Sequence, residues 1–145
     1  YGTNYLMRSA VAYKGLGGLT SDEAIYAMAD FDADKQALDG RHDYLMRFEP
    51  GELPPVDAFW SITMYARDRF LYPNAMHRFS IGDRTPGLQR DPDGGLCLCI
   101  GHAAPADTRN WLPAPAGNFY LILRMYVPRP DAAHWRIPPL QRLKG

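Results

Sequence analysis

The chain has no excess of charge of either sign and no long apolar run. Sixteen lysine and arginine residues balance sixteen aspartate and glutamate residues, and the charges stand in short clusters rather than in a basic stripe that could follow phosphates. We therefore expect no nucleic-acid partner. The apolar runs are only a few residues long, far short of the roughly 20 that cross a bilayer, so we expect no membrane span.

Cysteine is scarce, with two residues in the whole chain. Cys97 and Cys99 stand at i and i+2 in "GLCLCIGH", whose alternation predicts a strand. Their Cα atoms would then lie about 6.5–7 Å apart, at the limit for an unstrained disulfide. We interpret them as two small, unreactive apolar side chains, with a redox pair or a partial metal site as the weaker alternative.

Metal-binding and catalytic motifs are missing too. The four histidines are widely separated and form none of the spacings typical of a metal site, so the sequence predicts no metal and no cofactor. No serine lies in the G-x-S-x-G pattern of a nucleophile elbow. Paired carboxylates for glycoside chemistry must converge within about 5–10 Å, which spacing alone does not establish. Whether the protein is an enzyme stays open.

What the chain does contain is a series of short strand patterns separated by turn residues. One turn followed by a strand is predicted for "TSDEAIYAMADFD", and further strands for "HDYLMRFEPG", "DAFWSITMYARD", "HRFSIGD", "GGLCLCIGH" and "NFYLILRMYVP". Thirteen prolines, mostly at strand borders, indicate protected sheet edges. Regular strands with Gly, Pro and Asp turns predict a sandwich or barrel. Helical spacing of apolar residues predicts one N-terminal helix in residues 3–16.

Two strands and one loop supply candidate ligand-binding residues. Asp83 and Arg84 follow a strand and a glycine, where loop side chains either form an ion pair or meet a polar ligand. In "VDAFWSITMY" the alternation puts Trp60 on the core side and Tyr65 on a side that lines a cavity or meets solvent. Arg124, flanked by tyrosines on one strand face, is either a stacked surface residue or the floor of a cup.

The segment "NWLPAP", residues 110–115, either holds a ligand or fills one end of the core. Pro113 and Pro115 fix two φ angles and predict a stiff, extended lead-in to the following strand. Trp111 and Leu112 then point to opposite sides of it. We interpret the segment as a rigid corner that closes one end of the sandwich, with Trp111 as a candidate cavity wall. We also treat His102 as a candidate catalytic side chain.

Several of these stretches resemble successive blocks of the domain-of-unknown-function 1214 family. They are "LPPVDAFWSITMY", "RFSIGDRTPGL", "DPDGGLCLCIGH", "NWLPAPAGNFYLILRMYVP" and "WRIPPLQRL". The opening "YGTNYLMRSAVAYKGLGG" is similar to the segment that joins this domain to an N-terminal domain of the 1254 family in longer bacterial proteins. The chain departs from the family pattern at Asp34-Lys35, where Asp-Gly is usual, and at Cys99, where an aromatic residue is usual.

The resemblance implies a jelly roll and no assigned activity. The complete prediction is thus a mainly β, jelly-roll-like antiparallel β-sandwich with one N-terminal helix. Residues 1–18 are the helix and linker to an N-terminal companion domain, and residues 19–145 are the sandwich. We expect a structural module or one that binds a small polar ligand, with carbohydrate as one class. The alternatives are a hydrolase or isomerase using Asp83, Arg84 and either Tyr65 or His102, and a homo-oligomer. The cellular compartment stays open.

Overall fold

The computed structural model describes residues 21–144, which form two four-stranded sheets. The strands are β1 (Ala24–Ala29), β2 (Tyr44–Phe48), β3 (Val56–Ala66), β4 (Ser80–Gly82), β5 (Leu96–Gly101), β6 (Trp111–Pro113), β7 (Phe119–Pro128) and β8 (Gln141–Arg142), with a 3-10 turn at Pro130–Ala133. No helix in this described part is long and apolar enough to cross a membrane. The helix predicted in residues 3–16 lies outside the described residues.

The two sheets follow directly from the alternation of apolar side chains along the strands. In β7 every second residue from Phe119 to Met125 is buried, and the residues between are half-buried. Trp60 and Ile62 of β3 are buried on the same side, as predicted, and Phe48 of β2 faces them from the second sheet, its ring 5.4 Å from that of Trp60. Each such side chain contributes about 1.5–3 kcal/mol on burial. The mainly β prediction is confirmed for the described residues.

The two sheets differ in the order and direction of their strands. The first sheet has the order β1-β7-β3-β4 and is antiparallel throughout, whereas the second has the order β6-β5-β2-β8. In the second sheet β5 and β6 pair in parallel, so the prediction of antiparallel pairing holds only in part. After β5 the chain returns to Asn110, whose side-chain amide donates to the carbonyls of Gln89 and Cys97, so that β6 starts beside β5 and runs in the same direction.

The sequence "DPDGG" forms a turn but joins two sheets. Gly94 donates from its backbone N–H to the Asp91 carbonyl at 2.9 Å and has φ +89°, a conformation that glycine adopts without strain. The strands on either side, β4 and β5, belong to different sheets. The turn residues thus predict where the chain bends, but they do not predict which strands pair with each other.

Candidate ligand-binding face

The outer surface of the first sheet carries an unusual set of aromatic and polar side chains. The register of β3 against β7 puts Phe59 opposite Tyr126, Ser61 opposite Arg124, and Tyr65 opposite Tyr120. β1 adds Tyr26, which is the partner of Arg124 on the other side. We call this surface the aromatic face; its residues are Tyr26, Phe59, Ser61, Thr63, Tyr65, Tyr120, Ile122, Arg124 and Tyr126.

Two stacked aromatic pairs mark the ends of the aromatic face. The rings of Phe59 and Tyr126 lie 4.4 Å apart with an interplanar angle of 21°, and those of Tyr65 and Tyr120 lie 5.2 Å apart at 9°. Residues directly opposite each other on one face of an antiparallel pair are close enough for such contacts. The two pairs stand six positions apart along β3, about 20 Å at the rise of a strand. A polar floor lies between them.

Arg124 occupies the centre of that floor. Its Nη1 donates to the Thr63 hydroxyl at 2.8 Å, and its Nη2 donates to the Tyr65 hydroxyl at 2.8 Å. The guanidinium carbon lies 5.7 Å from the centre of the Tyr65 ring and 5.9 Å from that of Tyr26, within the range of cation–π attraction. Both hydrogen-bond acceptors are neutral. Among residues 21–144 Arg124 has no carboxylate partner.

A glycine brings β4 and its following loop against this floor. A Cβ on Gly82 would lie 2.2 Å from the carbonyl oxygen of Trp60, so only glycine permits this close approach of β4 to β3. The loop after Gly82 then sets Arg84 over the ring of Phe59, with its guanidinium carbon 4.1 Å from the ring centre. Asp83 accepts from the backbone N–H of Trp60 at 3.3 Å. Asp83 and Arg84 therefore have separate partners and form no ion pair with each other.

Two concave regions border the aromatic face. One, of about 560 Å³, is lined on one side by Phe59 and Ser61 and on the other by Arg84 and Met76. The other, of about 490 Å³, lies at the opposite end and includes Tyr120 and Ile122 in its lining. Both volumes are within the range of small-molecule sites in proteins. The floor between the stacked pairs is thus continuous with depressions at two sides.

Two tyrosines of the face, Tyr26 and Tyr120, have a pKa raised above the usual value of a phenol and remain protonated at neutral pH. Burial raises the pKa of Tyr26, and its hydrogen bond with Tyr126 raises it further. Burial likewise raises the pKa of Tyr120, with Tyr65 adding to the effect. Because a neutral phenol both donates and accepts, these hydroxyls suit a ligand that is itself rich in hydroxyl groups.

Of the other two predicted site residues, Trp111 lies in β6 of the second sheet and His102 directly follows β5 of the same sheet. Trp111 pairs with Cys99 in the register of β6 against β5 and is 7% exposed, and its indole Nε1 donates to the Gly101 carbonyl at 3.1 Å. Leu112 is fully buried in the core between the sheets. His102 has its Nδ1 2.9 Å from the Ala114 carbonyl oxygen. These contacts are structural, and neither side chain reaches the aromatic face.

The structure therefore brings three of the six predicted site residues to one surface: Tyr65, Arg84 and Arg124. Asp83 lies at its edge. Sequence reasoning missed the stacking of Phe59 and Tyr120 against their partners. The signal was present in the alternation of both strands, but pairing two residues across strands requires the register.

Acid–base and metal chemistry find little support on this surface. The outer positions of β3 from Phe59 to Tyr65, and of β7 from Tyr120 to Tyr126, carry no carboxylate and no imidazole. No cluster of histidine, cysteine and acidic side chains that could hold a metal ion occurs in the described part of the chain. Cys97 and Cys99 are both free, as predicted, and burial raises the pKa of each thiol, which disfavours the reactive thiolate.

Fold and surface together define a two-sheet β domain with a half-buried aromatic face. The chain belongs to the DUF1214 family, described as a protein of unknown function, whose family model matches residues 23–130. The resemblance seen in the sequence is confirmed by this match.

Two solved structures extend the comparison. The VPA0106 protein from Vibrio parahaemolyticus is 37% identical and superposes with a TM-score of 0.79, over 92% of this chain and 34% of that one. An uncharacterized protein from Burkholderia cenocepacia superposes with a TM-score of 0.53 at 17% identity, over 88% of this chain and 31% of that one, a likeness of fold alone. This chain thus spans about a third of each. The search of curated proteins found no match.

Proposed function

We propose that this domain is the ligand-binding module of a longer bacterial protein, a jelly-roll-like sandwich that binds a saccharide on its aromatic face. The carrying observation is that Arg124 is hydrogen-bonded to Thr63 and Tyr65 on a face with a stacked aromatic pair at each end, Tyr65 belonging to one of them. Saccharides present both hydroxyl groups and apolar C–H surfaces. A site that suits them therefore combines a few placed polar groups with aromatic side chains.

The length of the relatives supports the module assignment. Each of the two solved structures is about three times as long as the part that this chain matches. The proposed companion domain at the N-terminal side is the partner that such a length leaves room for. A ligand bound to the aromatic face would then contact the rest of the longer protein or be transferred to it.

The enzyme alternative has less support from the geometry. Its version with His102 requires Asp83 and His102 to act together, yet Asp83 contacts β3 in the first sheet and His102 follows β5 in the second. His102 is moreover in hydrogen-bond contact with the Ala114 carbonyl. Its version with Tyr65 would depend on Asp83, which already accepts a hydrogen bond from the Trp60 backbone. A binding role uses predicted residues that share one surface: Tyr65 and Arg124, which are hydrogen-bonded to each other, and Arg84 on the Phe59 ring.

Nuclear magnetic resonance titration of the chain tests the proposal. We expect a panel of neutral and acidic oligosaccharides to include members that shift the amide resonances of β3 and β7 around Ser61 and Arg124. The variant Tyr126→Ala, which removes one ring of a stacked pair, should weaken that binding about tenfold. Tyr72→Ala is the matched control, since the Tyr72 ring neighbours His102.

Two results would count against saccharide binding. If no saccharide in the panel shifts resonances of the aromatic face, the proposal fails. If Tyr126→Ala and Tyr72→Ala weaken binding equally, the ligand lies elsewhere. Sedimentation of the unliganded chain identifies the alternative occupant: a dimer that Tyr126→Ala dissociates would assign the face to a second copy of the chain instead.

A further inference from the structure

We propose that the saccharide bound on the aromatic face is anionic, and that its acidic group pairs with Arg124. This inference rests on the proposed function and adds the ligand's charge to it. The chemistry is a carboxylate or phosphate oxygen on a sugar ring, because the fork of a guanidinium matches both groups.

The first argument is the unused hydrogen-bonding capacity of Arg124. A guanidinium has five N–H donors, and in the described structure one on Nη1 and one on Nη2 are bonded, each to a neutral hydroxyl. Three donors remain. The two hydroxyl bonds hold the side chain along the floor, so the remaining donors are held in place and a ligand would meet a preorganised cation.

The second argument is a contrast with the other arginines. Within residues 21–144 five of them form ion pairs with aspartate or glutamate, namely Arg41, Arg47, Arg109, Arg129 and Arg142. Among the described arginines without such a pair, which also include Arg67, Arg78, Arg90 and Arg136, Arg84 and Arg124 lie against aromatic rings. Two cations without an ion pair among the described residues thus lie on the aromatic face.

The third argument concerns the surroundings of the charge. Arg124 is half-buried among Tyr26, Tyr65 and Thr63, where the local dielectric is lower than in water and an opposite charge is attracted more strongly. Asp83, the acidic residue beside Arg84, already accepts from the Trp60 backbone. The outer positions of β3 and β7 between the stacked pairs carry no acidic side chain that would repel an anion.

Isothermal titration calorimetry with matched ligands tests the charge preference. The probes are trigalacturonate and its methyl ester, in which esterification removes the carboxylate charge, together with glucose 6-phosphate and glucose. We expect the charged member of at least one pair to bind about tenfold to a hundredfold more tightly, the range for a charge-assisted hydrogen bond. Raising the salt concentration should reduce that preference.

Variants assign the preference to Arg124. Arg124→Gln should abolish the preference, so that the charged and the neutral member of a pair bind with equal affinity. Arg124→Lys, which keeps the charge without the fork, should retain part of it. Arg109→Gln is the matched control, because Arg109 is an exposed arginine paired with Asp107 away from the face; it removes the same charge and should change nothing.

The outcomes separate this inference from the function on which it rests. Neutral and charged members binding equally would overturn the charge preference and leave saccharide binding intact. A preference that survives Arg124→Gln would also overturn it. Binding of none of the four probes, together with a negative panel, would overturn both.

Discussion

The outer surfaces of the two sheets differ in how completely their polar and charged side chains are paired with other groups of the domain. On the second sheet Arg47 of β2 forms ion pairs with Glu49, Asp91 and Asp93, and Trp111 is buried with its indole bonded to Gly101. On the first sheet Arg124 has only neutral partners. One surface is closed by the loops of the domain itself, and the other presents donors and rings outward.

The difference shows that strand alternation alone does not distinguish a face whose charges are paired within the domain from one whose arginine has only neutral partners. Both surfaces alternate with the core positions and both contain an arginine at mid-strand. On the second sheet the Asp91–Gly95 turn brings carboxylates over Arg47. On the first sheet no described acidic loop reaches Arg124. The position of loops relative to a strand decides which arginine is available to a ligand.

The largest effect that would test this contrast is expected from Trp111→Ala. Removing this buried ring from the second sheet should lower the free energy of unfolding by about 3–5 kcal/mol, as measured by chemical denaturation. Trp111→Phe should cost less, since it keeps most of the packing and loses the bond to the Gly101 carbonyl. A Trp111→Ala protein of unchanged stability that no longer binds saccharide would reverse the assignment of the two faces.

A smaller effect is expected from the acidic residues around the second sheet. Arg41 holds the pKa of Asp39 at about 2, below its usual range, through hydrogen bonds from its side chain and backbone. A lowered pKa contributes stability that is present above about pH 4 and is lost as the pH falls toward 2. Asp39→Asn should therefore flatten the decline of thermal stability between pH 4 and pH 2.

Arg41→Gln provides the control for that prediction. It removes the cation rather than the carboxylate, so it should flatten the same part of the pH profile. The effect of either change stays below that of Trp111→Ala because the Arg41 side chain is 77% exposed and solvent screens the pair. A profile identical to that of the unaltered protein in both variants would show that Asp39 gains nothing from Arg41.

The smallest effect on stability is expected from Arg84→Ala on the first sheet. Arg84 stacks on Phe59 and forms no ion pair with the described residues. Its removal should therefore lower the free energy of unfolding by about 1 kcal/mol or less. Ligand-induced thermal stabilisation should nevertheless disappear. Arg78→Ala is the contrasting variant: Nη1 of Arg78 donates to the carbonyls of Thr108 and Trp111, and its loss should destabilise the domain more. Unfolding of Arg84→Ala would contradict a binding role.

Much of the local structure was predictable from residue patterns. The strands around Trp60, Cys97 and Leu123 lie where alternation predicts them, because the side-chain period of a strand is two residues. The opposite directions of Trp111 and Leu112 follow from the same period. Family membership was likewise readable from the sequence.

Pairing and proximity were not predictable in the same way. The short strand β8 (Gln141–Arg142) contains two residues and has no alternation to detect, yet it pairs with β2. The parallel pairing of β6 depends on side-chain bonds from Asn110 to residues 13 and 21 positions away. Such contacts depend on the tertiary structure and are not accompanied by a periodic pattern of residues in the sequence.

For the candidate site, the sequence by itself determined which side chains alternate with the core: Tyr65, Arg124 and the tyrosines beside it. The tertiary structure decided that Phe59 and Tyr65 stack on Tyr126 and Tyr120, that Arg84 joins them, and that Trp111 and His102 do not. The physical reason is that a strand's period sets the direction of its side chains, whereas the neighbours they meet are set by register and sheet order.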